Sequence, residues 1–178
     1  MNAAELLERQ RSAGFPARLI NHHRIVSEVA SSLATSLISI GLTIDAERTE
    51  LMASIHDIGK SVATDELSGP GNTHEEIGVG IAEEFGLPSS ISKICKSHSS
   101  KTVEGMDIEE IIVRLADKLW KGKRDTDFER QVVVRFAEQL GKEDWEIFME
   151  ADKIFEAVAE SGHQRLEATR AEQDVSIH

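Results

Sequence analysis

Residues 54–60, Ser54-Ile55-His56-Asp57-Ile58-Gly59-Lys60, set an imidazole and a carboxylate side by side between apolar neighbours, followed by a glycine and a lysine. Proteins seldom bury such groups unless they are paired, hydrogen-bonded or metal-bound. Taken alone, the dipeptide reads equally well as a capped turn, with Asp57 bonding the backbone and His56 packed against it. The choice depends on whether distant segments bring partners to it, and so on how those segments fold.

Outward from this stretch, almost every segment has helical periodicity. Upstream, Asp45 is the expected N-cap of a helix carrying Leu51, Met52 and Ile55 into the His56-Asp57 pair. Before it, Pro16 opens a long helix running to about Ser39, with Leu19, Val26, Val29, Ala30, Leu33 and Leu37 at three- and four-residue steps. A short amphipathic helix over residues 3–12 stops at Gly14. Consecutive helical residues on one helix diverge by about 100°. Gly59 is therefore expected to loosen the helix end so that His56 and Asp57 aim at one point.

Downstream, residues 61–72 read as a loop, and Thr73 with Glu76 has capping-box spacing for a helix ending near Gly86. Pro88 restarts a short helix with the stripe Ile91, Ile94, Cys95 and His98. After a loop over 99–106, Asp107 with Glu110 caps a helix over 108–120. Thr126 with Glu129 caps another to about Leu140, and a last helix spans 143–160. The expected fold is all-α, a single helical bundle over residues 1–162 with a polar tail at 163–178.

The chain has 178 residues, enough for one continuous core, and its six Phe, two Trp and no Tyr leave that core mainly to Leu, Ile, Val and Ala. A single cysteine, Cys95, excludes an intrachain disulfide framework and suits a reducing, cytoplasmic setting. No apolar run approaches the roughly 20 residues of a membrane helix, and the N-terminus lacks the pattern of a signal peptide. Against 20 Lys and Arg stand 32 Asp and Glu, a formal charge of −12. This disfavours nucleic acid and acidic membranes as partners, but leaves room for a small phosphate compound at a site with its own positive charge.

The groups able to join His56 and Asp57 are few. His22 and His23 flank the apolar stripe of the long helix on opposite sides, and periodicity alone does not choose between them. Asp117 lies beside a second apolar strip formed by Val113 and Trp120; its alternative role is a surface ion pair with Arg114 or Lys121. His98 falls on an apolar stripe, and His74 stands at a helix start. Lys60 could reach a phosphate oxygen, and Lys93, Lys96, Lys101, Lys118, Lys121, Lys123 and Arg124 form a local basic group. Two histidines and two carboxylates make a mixed nitrogen–oxygen site suited to Zn, Fe, Co, Ni, Mn or Mg. Such an ion acidifies bound water and polarises a phosphoryl oxygen.

With this set assembled, the sequence resembles the HD-domain phosphohydrolase superfamily over roughly residues 18–125. The matching motifs are His22 followed by Val26 and Ala30, then Ile55-His56-Asp57-Ile58-Gly59-Lys60, then Leu115-Ala116-Asp117-Lys118-Leu119. The resemblance selects His22 over His23. It implies that His22, His56, Asp57 and Asp117 hold one divalent metal ion, and that His74 and His98, bridged by Asp57, hold a second. It further implies that Asp57 and Lys60 serve in catalysis, with Lys60 and Lys118 on the phosphate. The activity implied is hydrolysis of a nucleotide or other small phosphate ester by metal-activated water. A dinucleoside polyphosphate hydrolase of the diadenosine tetraphosphate type is the alternative, echoed by His98-Ser99-Ser100, Met106, Ala116-Asp117 and Arg124. A non-catalytic metal- and nucleotide-binding module is another, with the acidic helix 143–160 as its interaction surface. A homodimer is compatible with either.

Overall fold

The computed structural model describes residues 1–167. Its helices are α1 (Ala3–Ser12), α2 (Ala17–Ser39), α3 (Ala46–Ala53), α4 (Thr73–Glu84), α5 (Ser89–Ser92), α6 (Ile94–Ser97), α7 (Ile108–Leu119), α8 (Thr126–Leu140) and α9 (Asp144–Glu160). Short 3-10 turns occupy Ile58–Ser61 and Thr64–Leu67, and no strand occurs among the described residues. The all-α expectation holds.

α2 is the axis of the bundle, roughly 34 Å long at 1.5 Å per residue, and α1, α3, α7 and α9 all pack on it. All six stripe residues expected from periodicity are buried, and so are Ile20, His23, Ile25, Ser27 and Ala34. A helix surrounded by partners buries more than one stripe. The extra burial on the α1 side is partly polar: His23 Nδ1 meets Gln10 Oε1 at 2.8 Å, while Gln10 Nε2 donates to the Ser54 carbonyl at 2.7 Å. Those bonds tie α1 and α2 to the turn that ends α3. Asp45 caps α3 as expected, accepting from Arg48 N.

Gly59 acts differently from the sequence expectation. It is not among the glycines with positive φ, so conformational freedom is not what it supplies. A Cβ at this position would lie 1.9 Å from the His74 carbonyl oxygen and 2.7 Å from Gly78 N. Gly59 is needed for space: the turn over Ile58–Ser61 lies directly against the backbone of α4. That approach carries the start of α4, and His74 with it, up to Asp57.

Two helix starts also differ. α4 has Asn72 at its N-cap position with no side-chain bond, and Thr73 is the first helical residue. The Glu66 carboxylate, arriving from the preceding turn, accepts from Thr73 N and His74 N in place of the expected Thr73–Glu76 box. α8 is capped by Asp125, one residue before Thr126, through a bond from Phe128 N. The α7 start matches expectation, with Glu110 reaching back to Asp107 N at 2.8 Å. The 89–97 segment is broken into α5 and α6, yet Ile91, Ile94, Cys95 and His98 all face inward.

Past α9, residues 162–167 are helical, so the first part of the expected polar tail is ordered; residues 168–178 lie outside the described residues. A Cβ on Gly162 would fall 2.2 Å from Gly122 N, and Arg165 Nη1 donates to the Val158 carbonyl at 2.9 Å and the Trp120 carbonyl at 3.4 Å. Arg124 joins the same end of the bundle to α8 and α9 through Glu129 and Asp152 at 2.7 and 2.6 Å and through Glu156.

Two glycines separate close approach from conformational freedom. Gly59→Ala drives a methyl into the α4 backbone, and overpacking of this kind destabilises by about 1–3 kcal/mol or more. Gly80→Ala, on a helix position with nothing within 4 Å, stabilises by about 0.5–1 kcal/mol. Urea midpoints of the two variants should move in opposite directions.

Candidate metal centre

Four elements converge on Asp57. It follows α3 in a backbone bend (φ −110°, ψ 14°) that precedes the 3-10 turn, and its side chain is 7% exposed. His22 comes from α2, His74 from the first turn of α4, His98 from the end of α6, and Asp117 from α7. Helices far apart in sequence thus place their polar groups at one buried point.

The groups fall into two clusters. In the first, His22 Nε2 and His56 Nε2 face one another at 3.1 Å. Asp117 Oδ1 lies 3.4 Å from His22 Nε2 and 3.6 Å from His56 Nε2. Asp57 Oδ2 lies 3.4 Å from His22 Nε2 and 3.8 Å from His56 Nε2. In the second, Asp57 Oδ1 is 3.4 Å from His74 Nε2 and 3.2 Å from His98 Nε2. Asp57 therefore gives one oxygen to each cluster.

These donor sets fit divalent ions. An ion holding nitrogen and oxygen ligands at about 2.0–2.2 Å spaces neighbouring ligand atoms roughly 3.0–3.5 Å apart, which is close to the separations here. Ring orientation agrees: His56 Nδ1 donates to the Ala53 carbonyl at 2.8 Å and His98 Nδ1 to the Ile94 carbonyl at 3.0 Å, turning each Nε2 inward. Asp57 Oδ1 and His74 Nε2 are buried without a hydrogen-bond partner, an expensive state for polar atoms. The clusters His22, His56, Asp117 and Asp57, His74, His98 could each hold a metal ion.

Electrostatics in the protein alone follow from the same packing. Burial raises the Asp57 carboxyl, but the adjacent imidazoles, His56 first and then His22 and His98, outweigh it and hold its pKa well below the usual range. Burial likewise raises Asp117, and His22 and His56 together bring it well below. For His22, burial lowers the pKa while Asp117 and Asp57 raise it to about 8. His56 is lowered, burial prevailing over Asp57. His22 is thus the histidine of this cluster shifted toward its charged form, and a divalent cation would compete with that proton.

The competing roles can now be assigned. His23 is fully buried and turned toward Gln10; burial, then repulsion from His56 and His22, keeps it neutral. Arg114, the surface partner considered for Asp117, instead pairs with Asp125 at 2.9 Å and stacks on Phe128. His74, which could have been a solvated first-turn residue, is 5% exposed. Lys60 Nζ lies 2.7 Å from Asp57 Oδ2.

A cavity of about 460 Å³ opens on the His22, Asp57 and Asp117 face. Lys60, Arg18 and Lys121 supply its cationic groups, and Leu19, Ile25, Leu67, Trp120 and Leu166 its apolar walls. Lys118 is not among its lining residues. Three of the seven basic residues grouped in sequence are engaged elsewhere: Lys93 with Asp107 and Glu110, Lys96 with Glu76, and Arg124 with the α8 and α9 acids. Arg18 was missed, although its position four residues before His22 places it on the same face of α2. Leu166 carried no signal, because its segment reads only as polar tail.

The family model described as HD domain matches residues 19–120 of the chain. The uncharacterized protein MJ0778 of Methanocaldococcus jannaschii is 27% identical over 139 residues, covering 70% of this chain and 78% of that protein. No solved structure matches the chain significantly. No helix among the described residues is long and apolar enough to cross a membrane. The matched span runs from the turn of α2 before His22 to the residue after α7, taking in all six converging side chains, and the chain belongs to the HD-domain family.

Proposed function

We propose that the protein is a metal-dependent phosphohydrolase acting on a mononucleotide-sized phosphate ester, with His22, His56, Asp57 and Asp117 holding one divalent ion and Asp57, His74 and His98 a second. The observation that carries this reading is the sharing of Asp57 between two donor clusters at the floor of a cation-lined cavity. The ions would supply an acidified water as nucleophile and charge stabilisation for the phosphoryl oxygens. Mn, Fe, Co, Ni, Zn and Mg all suit this nitrogen–oxygen set.

The chain's own residues supply the remainder. Asp57 and Asp117 are held ionised by their histidine neighbours and carry the negative charge that attracts the cations. Lys60, Arg18 and Lys121 neutralise the substrate phosphate, a role the family resemblance implied for Lys60 and Lys118. Trp120, its ring 5.4 Å from that of His22, and the leucines around it give a flat, apolar surface for a base or other ring while excluding water.

Cavity size and the fate of the echo residues weigh against the dinucleoside polyphosphate alternative. The volume of about 460 Å³ lies in the lower half of the range for pockets that enclose one drug-sized ligand, about 300–1,000 Å³. Met106 is buried in the core and Arg124 is bound to Glu129 and Asp152, so neither is placed to serve an extended polyphosphate.

Two experiments test the reading. Purified protein supplied with each metal in turn should release phosphate from at least one member of a panel of nucleoside monophosphates and small phosphate esters. Asp57→Ala should lower that rate by at least about 10²–10³-fold. Folded protein that releases phosphate with none of these metals sinks the enzyme reading, and tight nucleotide binding without turnover would point to a binding module. The second experiment concerns the apolar wall. Leu166→Ala should raise KM for a nucleoside monophosphate about 3–10-fold with kcat unchanged, as loss of one side chain's apolar contact does. KM for glycerol phosphate, which has no ring to rest on that wall, should stay constant.

A further inference from the structure

Glu66 lies in the stretch that reads in sequence as featureless loop, and no family motif reaches it, yet it is one of the most constrained carboxylates near the centre. It sits on the 3-10 turn Thr64–Leu67. One oxygen, Oε1, accepts from Thr73 N at 3.1 Å. The other, Oε2, meets His74 Nδ1 at 2.5 Å and accepts from His74 N at 3.2 Å. The loop backbone closes over the same carboxylate, since a Cβ on Gly71 would fall 2.3 Å from Oε1. Three donors and a glycine wall thus fix the group in one place.

This contact distinguishes His74 from His56 and His98. His56 and His98 hold their Nδ1 protons on backbone carbonyls of their own segments, so those rings are oriented wherever the local helix forms. His74 is oriented by a charged side chain eight residues upstream, on a different element. With the proton held at Nδ1, the Nε2 lone pair is directed toward Asp57 Oδ1 at 3.4 Å, where Nε2 is buried without a partner. A carboxylate on the outer nitrogen also makes the imidazole a stronger donor through the inner one.

We infer that Glu66 is a positioning residue for the second metal position: it fixes the tautomer and ring direction of His74, so the occupancy of that position is set by the 61–72 segment. The inference rests on the reading of His74 as a ligand. Its consequence reaches the substrate cavity, because the same segment contributes Leu67 to the wall and holds Ser68 against Arg18 at 3.1 Å. Binding at the second metal position and closure of that wall therefore share one element.

The test is a Co²⁺ titration of the metal-free full-length protein, read by visible absorbance and by metal content after desalting, for wild type, Glu66→Ala, Glu66→Gln and His74→Ala. Wild type should bind two ions. Glu66→Ala should bind the first with unchanged affinity and the second about 10–100-fold more weakly, the usual effect of removing such a partner. Glu66→Gln, whose amide oxygen still accepts from Nδ1, should recover most of that loss. A purely structural role in capping α4 would lower thermal stability in Glu66→Ala without separating the two affinities, and that result overturns the inference. If His74→Ala drops to one ion while Glu66→Ala keeps two at wild-type affinity, the inference fails and the ligand reading stands. If His74→Ala still binds two ions as wild type does, the ligand reading fails and takes the inference with it.

Discussion

The structure is arranged around a single carboxylate with two separately committed oxygens. Asp57 directs Oδ2 toward His22 and His56 and Oδ1 toward His74 and His98. A buried carboxylate with no protein cation enclosing it is expensive, and Lys60 meets only one side of it. What keeps it ionised is the neighbouring His56 together with the imidazoles brought by α2 and α6, so those helices cannot be repositioned independently of the charge they surround. This constraint also accounts for the close backbone contact at Gly59: the turn after Asp57 must lie against α4 for His74 to arrive within 3.4 Å.

The sequence disclosed the fold and the converging residues for different reasons. The helices were legible because periodicity records burial, and α2 and α7 bury long regular stripes. His56 and Asp57 stood out because polar groups in an apolar run need partners. The choice between His22 and His23 was not legible from period, since both flank the stripe. The structure separates them by what lies outside α2, with Gln10 of α1 on one side and the Asp57 centre on the other.

What stayed hidden depends on contacts made across chain distance. Gly59 looked like a hinge because sequence shows conformational freedom and not the neighbour that a side chain would strike. The cap of α4 was misplaced for a related reason: a local Thr…Glu spacing was available, but the better acceptor, Glu66, lay outside the window, whereas at α8 the cap moved by one residue, to Asp125. Glu66 and Leu166 belong to segments whose composition says only loop or tail. They gain meaning from the surfaces they reach, and nothing in their own sequence encodes those surfaces.

The charge distribution agrees with the proposed small anionic substrate. With 32 acidic and 20 basic residues the chain disfavours polyanions, and Lys93, Lys96 and Arg124 are neutralised by acids on neighbouring helices. Arg18, Lys60 and Lys121 line the same cavity as His22, Asp57 and Asp117, Lys60 while paired with Asp57 itself. Beyond about 8–10 Å at physiological ionic strength, solvent screens the contribution of individual surface charges. A compact phosphate that enters the cavity comes under these cations and any metal held below them, while a long polyanion would have to lie across the acidic exterior. Under the proposed function, the net charge and the local charge therefore act in the same direction, toward a ligand small enough to leave the surface behind.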